Sequence, residues 1–346
     1  MSDPPLHLAP STYGAPVRWA RQRELLARSW SFVADHRALD AAASPTTFLE
    51  GALDEPLMIV RDDGRLRLLS NVCTHRAARL LDAPCDGLSI RCPYHGRRFG
   101  LDGTVRAAPG YEEPPDEPLP EVPHAELGPM LFGALEPAHP FDALMAPVAD
   151  RLAFFDFDAL APDPASARAY TVEAPWPLWC DNYLEGLHIP YVHPRLAQTL
   201  DLERYSVETF ERCALQVGEA RPSEPAFELP DGHPDAGRRV AGYYLFLFPV
   251  TALNLYPWGL SLNAIEPLGP ERTRIVYRAW TLRPELRDRG AGADLDRVER
   301  EDDAIVERAA AGVRSRLYRP GRLSERHEAA VRWFHARLAA ATDAIG

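Results

Sequence analysis

The chain has 346 residues, 46% of them apolar, which is enough for one large or two ordinary domains and excludes a disordered protein. Its formal net charge is −12, and all 38 basic residues are arginines in no extended run, which excludes a nucleic-acid binder that needs a basic face. No apolar run approaches the ~20 residues that cross a bilayer, and the opening MSDPPLHLAP lacks the basic-then-apolar order of a secretion signal. A cytoplasmic protein without membrane partners is expected.

Residues 16–28, PVRWARQRELLAR, carry the periodicity of an amphipathic helix. The period then shortens. PLMIV and LRLLS read as two strands joined by RDDGR, whose Asp63-Gly64 pair suits the positive φ angles of a tight hairpin turn. Short strands fit 89–92, 98–101 and 104–106, with LDG turning the last pair, so a small antiparallel β domain is predicted. Residues 107–129 hold seven prolines and many acids, which rules out a helix or a central strand there. MLFGALEP at 130–137 returns as a strand, and the domain boundary is placed near Ala138.

The second half carries strand patterns at 241–249, 251–256, 258–266 and 272–282, an antiparallel meander. Two helical patterns follow at about 292–317 and 324–343, with Ser324 as a cap for the second. The predicted fold is α+β: an N-terminal helical segment over 1–29, a small antiparallel β domain over 30–138, and a domain over 139–346 with an antiparallel sheet and C-terminal helices.

Cysteines Cys73, Cys85, Cys92, Cys180 and Cys213 are too irregularly spaced for a disulfide scaffold, which leaves reduced thiols available as ligands. CTH at Cys73 and His75 is followed, after sixteen intervening residues, by CPYH at Cys92 and His95. Two thiols and two imidazoles on two loops suit a tetrahedral zinc, or a Rieske [2Fe–2S] cluster in which thiolates hold one iron and imidazoles the other. Zinc pairs usually join like with like. Here each loop mixes one Cys with one His, as a two-iron cluster requires, because each loop must offer one ligand to each iron.

The flanks, NVCTHRAA and CPYHGRRFGLDG, resemble the two cluster-binding loops of the Rieske family, over roughly residues 30–137. Gly96 would allow close backbone approach to the cluster, and Pro109-Gly110 resembles the family's covering loop. Ala78 and Tyr94 stand where the respiratory-chain branch carries an extra cysteine pair, so the chain is similar to the oxygenase and ferredoxin branch. Cys85 reads as an ordinary thiol.

In DNYLEGLHIPYVHP, residues 181–194, Glu185 and His188 are three apart and are predicted to share one face of a helix. Pro190 would end that helix and turn the chain so that His193 returns towards His188. Two neutral imidazoles and one carboxylate, with positions left open, suit non-haem Fe(II). With this motif the resemblance extends to the catalytic α subunit of Rieske non-haem iron oxygenases. It implies that His188, His193 and a C-terminal acid hold the metal; within REDDAIVERAAAGVRSRLYRPGRLS (300–324), Asp302 is the best match and Asp303 the runner-up. It also implies that Glu185 is not a ligand but a catalytic bridge between His188 and His95 of the partner subunit in a homotrimer. Many members have Asp there; Glu places the chain nearer to members that attack choline or carnitine.

The resemblance further implies a helix-grip-like catalytic domain that uses O2 to hydroxylate or oxidatively demethylate a small organic substrate. No G-x-G-x-x-G follows a strand, and GAGAD at 290 lacks the spacing. Electrons from NAD(P)H are therefore expected through a separate reductase, with or without a ferredoxin. Trp176, Trp179, Tyr183, Tyr243, Tyr244, Tyr256 and Trp258 gather in the second half. An aromatic box would suit a quaternary ammonium, and an aromatic ring equally. The alternatives are a Rieske electron carrier and a ligand-binding homologue without turnover.

Overall fold

The computed structural model describes Tyr13 and residues 16–343. It divides into two compact units, Ala27–Ala138 and, together, the residues up to Leu26 and from His139 onward. Helix α1 is Pro16–Ala27.

The smaller unit is built of three antiparallel three-stranded sheets, ordered β1-β9-β8, β2-β3-β4 and β5-β6-β7. These strands are β1 Ser31–Asp35, β2 Ala43–Phe48, β3 Glu55–Asp62, β4 Arg65–Ser70, β5 Ser89–Arg91, β6 Arg98–Gly100, β7 Val105–Ala107, β8 His124–Leu127 and β9 Met130–Gly133. Between β3 and β4, Asp63 (φ 48°) and Gly64 (φ 80°) supply the two positive φ angles of a tight hairpin. The proline-rich stretch ends in β8, an edge strand paired only with β9 and itself free of proline. Strands β1 and β2 have no sequence signal: β1 is interrupted by a register shift between Phe32 and Ala34, and β2 carries Pro45 on an edge. Met58, Leu69, Ile90 and Phe99 form the core here, and Cys73 and Cys92 are part of it.

The larger unit contains short helices α2 Asp142–Met145 and α3 Ala149–Leu152, then β10 Ala161–Pro162, β11 Arg168–Val172, α4 Trp176–Tyr183, α5 Ile189–Val192 and α6 Leu196–Thr199. Six further strands follow: β12 Leu200–Thr209, β13 Cys213–Ala220, β14 Val240–Leu247, β15 Thr251–Tyr256, β16 Gly259–Pro267 and β17 Thr273–Thr281. All join one antiparallel sheet, ordered β10-β17-β16-β15-β14-β13-β12, with β11 also on β17. Gly259 (φ 149°) is forced at the turn into β16, since a Cβ there would lie 2.2 Å from the carbonyl oxygen of Trp280. The chain closes with α7 Leu295–Val313 and α8 Ala329–Asp343. In α7, Glu299, Val306 and Ala310 are buried, a spacing that puts one stripe of the helix inward. Trp176 of α4 is fully buried, donates its indole N–H to Gln22 of α1 (3.0 Å) and packs edge-on against Phe334 of α8.

Three local expectations need correction. Glu185 and His188 are not on a helix: α4 stops at Tyr183, and both residues lie in the bend before α5. The cause is the Glu185 carboxylate, which accepts the backbone N–H groups of Leu187 and His188 and so competes with helical pairing. Pro190 begins the next helix instead of ending one, a position where its missing N–H costs nothing. Ser324 caps a turn, accepting the His327 N–H (3.2 Å), while α8 starts only at Ala329.

Candidate metal centres

In the smaller unit, Cys73 and Cys92 are each 2% exposed, whereas His75 is half-buried and His95 exposed. The thiols pair with each other, and the imidazole rings meet at 4.8 Å between centroids. Sulfur donors lie inside and nitrogen donors outside, so the two donor types are segregated, as a centre with one thiolate-held and one imidazole-held iron needs. Tight turns make this possible: the N–H of Ala77 bonds the Cys73 carbonyl and that of Gly96 the Cys92 carbonyl. Gly96 has φ 74°, so the glycine is needed for its left-handed backbone.

The electrostatics favour thiolate at Cys92 and oppose it at Cys73. Burial raises the Cys73 thiol, partly opposed by the N–H groups of His75 and Arg76. Burial acts the same way on Cys92, but the N–H groups of Tyr94 and His95, with Cys73 and the charge of Arg97, outweigh it and hold that thiol below its ordinary value. His75 is held below the usual imidazole range by desolvation and by the charges of His95, Arg97 and Arg76, which keeps its lone pair available. Cys85 takes no part in this set: its backbone pairs with Ala43 and its sulfur accepts the Gly87 N–H.

In the larger unit, one short turn from His188 to His193 brings the two rings to 5.1 Å at 82°. Asp302 Oδ1 from α7 lies 2.9 Å from His193 Nε2 and 3.5 Å from His188 Nε2. One donor atom from each of these three residues falls within 4.8 Å of the others, a grouping able to hold a metal ion. The far nitrogens are also held: His188 Nδ1 is 2.6 Å from Glu185 Oε1, and His193 Nδ1 is 2.7 Å from Glu301 Oε2. A carboxylate on each Nδ1 fixes the N–H there and leaves both Nε2 lone pairs aimed at the shared point, as metal-binding histidines require. Asn182 donates to Asp302 Oδ1 at 2.6 Å and orients that carboxylate. Burial works against a charged His193, yet Asp302 and Glu301 together raise it.

Asp303 is aimed elsewhere: it accepts the Trp179 indole N–H at 3.2 Å, and burial, with the charges of Asp302 and Glu307, pushes it up to about 7. Glu301 and Asn182 were not singled out in the sequence. Glu301 has no distinguishing signal beside Glu299, Asp302 and Asp303.

His188, His193, Asp302, Glu185 and Asn182 line a cavity of about 80 Å³. Trp179, Tyr183, Tyr244 and Tyr256 line it, joined by Tyr205 of β12, which was not anticipated. Trp176, Tyr243 and Trp258 are core instead: Trp258 stacks behind Tyr256 (5.3 Å), and Tyr243 bonds Asp235. Tyr205, Tyr244 and Tyr256 form a continuous aromatic wall, Tyr244 contacting both others. Among the described residues, the Tyr244 hydroxyl and Gln216 Oε1 are buried without a hydrogen-bond partner. Glu299 completes the lining; Asn263 donates to its carboxylate at 3.2 Å, and no cationic side chain of the described residues pairs with it. Burial, with the nearby Asp302, pushes its carboxyl well above the ordinary range.

Comparison with known proteins identifies both domains. Residues 157–344 match the family model of the ring hydroxylating alpha subunit (catalytic domain), and residues 29–123 that of the Rieske [2Fe-2S] domain. The chain is 29% identical over 308 residues to the chloroplastic choline monooxygenase of Beta vulgaris, covering 84% of this chain and 67% of the relative. It is 29% identical over 317 residues to the carnitine monooxygenase oxygenase subunit of Escherichia coli (strain K12), covering 86% and 81%. A solved quaternary ammonium Rieske monooxygenase, described for carnitine oxidation and inter-subunit electron transfer, superposes with a TM-score of 0.78 at 24% identity, covering 98% of this chain and 96% of that one. Naphthalene 1,2-dioxygenase from Rhodococcus sp. superposes with a TM-score of 0.72 at 17% identity, covering 97% and 94%, so the fold is shared across both. Among the described residues no helix is long and apolar enough to cross a membrane.

Proposed function

From the premise that this chain belongs to the ring hydroxylating alpha subunit family, with a Rieske domain ahead of its catalytic domain, we propose that Cys73, His75, Cys92 and His95 hold the [2Fe–2S] cluster and that His188, His193 and Asp302 hold the mononuclear iron. The protein is a Rieske non-haem iron oxygenase, using O2 and externally supplied electrons to hydroxylate or oxidatively demethylate a small molecule. The observation that carries the ligand assignment is the convergence of two Nε2 atoms and one carboxylate at the head of an aromatic cavity. When bound, the cluster supplies one-electron storage and the ferrous ion supplies O2 activation. The chain's own residues do the rest. Glu185 and Glu301 keep the imidazoles in the ligating tautomer, Asn182 fixes Asp302, and the tyrosine wall excludes water from the reacting position. Iron analysis after anaerobic Fe(II) loading is expected to give about three irons per chain, two from a Rieske centre and one from the facial site; a loaded chain with only two would remove the oxygenase centre.

The substrate proposed is an N-methylated ammonium. A buried carboxylate without a cationic partner is costly, so burial holds the Glu299 carboxyl towards its neutral form until a cation joins it in a pocket faced by Tyr183, Tyr205, Tyr244 and Tyr256. A cation seated there would supply the missing counter-charge and meet aromatic faces, a contact worth ~2 kcal/mol when desolvated. The choline and carnitine monooxygenases among its relatives are named for substrates of that chemistry. Glu299→Gln is expected to raise KM for a trimethylammonium substrate about tenfold, the equivalent of ~1.4 kcal/mol, while leaving binding of a neutral tert-butyl isostere unchanged. Equal losses for both would point to a neutral substrate.

Electrons come from a separate reductase on this reading, with or without a ferredoxin. The assembly proposed is a homotrimer in which Glu185 joins His188 to His95 of the partner subunit. Its support is the Glu185–His188 contact and the family's precedent for transfer between subunits.

A further inference from the structure

The two cluster loops are tied together by a buried cation. Arg97, two residues past His95, is only 2% exposed. Its Nη1 donates to Thr74 Oγ1 (3.1 Å), between Cys73 and His75, and to Glu117 Oε2 (2.6 Å), and its guanidinium lies 5.8 Å from the Tyr111 ring. Thr74 in turn donates to the Glu117 carbonyl at 2.8 Å. One guanidinium thus joins both ligand loops to the proline-rich loop.

A neutral donor would satisfy the bond to Thr74, so the charge needs its own account. In the Arg97–Glu117 pair the arginine side chain is 3% exposed and the glutamate 50%. Water screens the negative end, while the positive end lies in the interior beside the thiols, where the dielectric is low and a charge acts further. A positive charge held there favours a cluster that has gained an electron, because reduction adds one negative charge to the atoms it faces.

Resting on the reading that Cys73, His75, Cys92 and His95 hold the cluster, we propose that Arg97 is an electrostatic positioning residue that raises the cluster's reduction potential, with Glu117 as its solvent-side counterweight. The electron enters from the external reductase without bond making or breaking in the protein. A raised potential makes uptake from that reductase more favourable.

The test is a potentiometric titration of the intact chain, followed by the electron paramagnetic resonance signal of the reduced cluster. Iron and labile sulfide are assayed first, so a wild-type chain that builds no [2Fe–2S] cluster is recognised as failure of the ligand reading itself. Arg97→Gln is expected to lower the reduced-to-oxidised ratio at fixed poise about tenfold, which for a one-electron couple is 59 mV. Arg97→Lys keeps the charge and is expected to stay nearer the wild type than Gln. Glu117→Gln, made at the exposed end, is expected to move the potential upward. A purely structural pair would send Arg97→Gln and Glu117→Gln in the same direction, since both break one contact; that result, or Lys matching Gln, overturns the proposal. Should Arg97→Gln fail to retain its cluster, the direction of the Glu117→Gln shift decides alone.

Discussion

His188→Ala abolishes O2-dependent turnover and leaves the visible spectrum of the Rieske cluster unchanged. The expectation rests on where the ligands reside. His188 belongs to the larger unit, with His193 and Asp302, whereas the proposed cluster ligands all belong to the smaller one. Removing the imidazole leaves one nitrogen and one carboxylate facing the shared point, too few donors to retain a ferrous ion against water. The loss should exceed the 10–100-fold that outer-shell changes around a metal typically produce. His188 sits in a bend and is only partly buried, so its removal has little cost for packing. Iron should fall from about three to about two per chain, with the dithionite-bleachable spectrum retained. A variant that lost its colour would place His188 at the cluster, and one that kept full turnover would remove it from the iron. Asp302→Ala should behave in the same way and Asp303→Asn should not, because Asp303 faces Trp179.

What could be read before the structure and what could not follow from how local each constraint is. The gathering of Cys73, His75, Cys92 and His95 was legible because each pair is separated by one or two residues and both lie on loops flanked by readable hairpins. The meander over β14–β17 was legible because its strands are consecutive and joined by short turns. Strands β12 and β13 were not. The first has a register shift between Asp201 and Ser206, and the second is buried at every position, so neither shows the alternation that marks a half-buried strand. The spacing of Glu185 and His188 fits a helix, and only the carboxylate's preference for the Leu187 and His188 amides ends the helix at Tyr183. Asp302 and Asp303 sit one residue apart on α7, and the choice between them is made by partners distant in sequence, Asn182 and His193 on one side and Trp179 on the other. Glu301 and Tyr205 reach the site by the same long-range folding. Their residue types carried no local signal, and no spacing rule connects them to His193 or to Tyr244.

Glu185→Gln slows electron delivery to the iron by about 10 to 100-fold, the rate equivalent of the ~1.5–3 kcal/mol of a hydrogen bond to a charged group, while both metals remain bound. The carboxylate has two tasks in this chain. Oε1 receives the His188 Nδ1–H, and Oε2 receives the backbone N–H groups of Leu187 and His188. Glutamine has only one acceptor oxygen. It can hold the bend or the imidazole, but its amide N–H₂ faces whichever donor is left. The backbone bonds fix the turn that carries a metal ligand, so the imidazole link is the one expected to weaken. In the proposed trimer that link is half of the connection to His95 of the partner subunit, and a neutral amide no longer draws positive charge onto either ring. The discriminating measurement is a single-turnover experiment started from fully reduced protein, with cluster oxidation followed optically. Normal iron content with slow oxidation supports the bridge. Slow oxidation accompanied by iron loss would reduce Glu185 to a support for His188. Glu185→Asp separates charge from reach: it keeps the carboxylate but is one methylene shorter, and from a bend built around the longer side chain it cannot cap Leu187 and hold His188 together. It should therefore recover only part of the rate, and full recovery would show that the charge alone suffices.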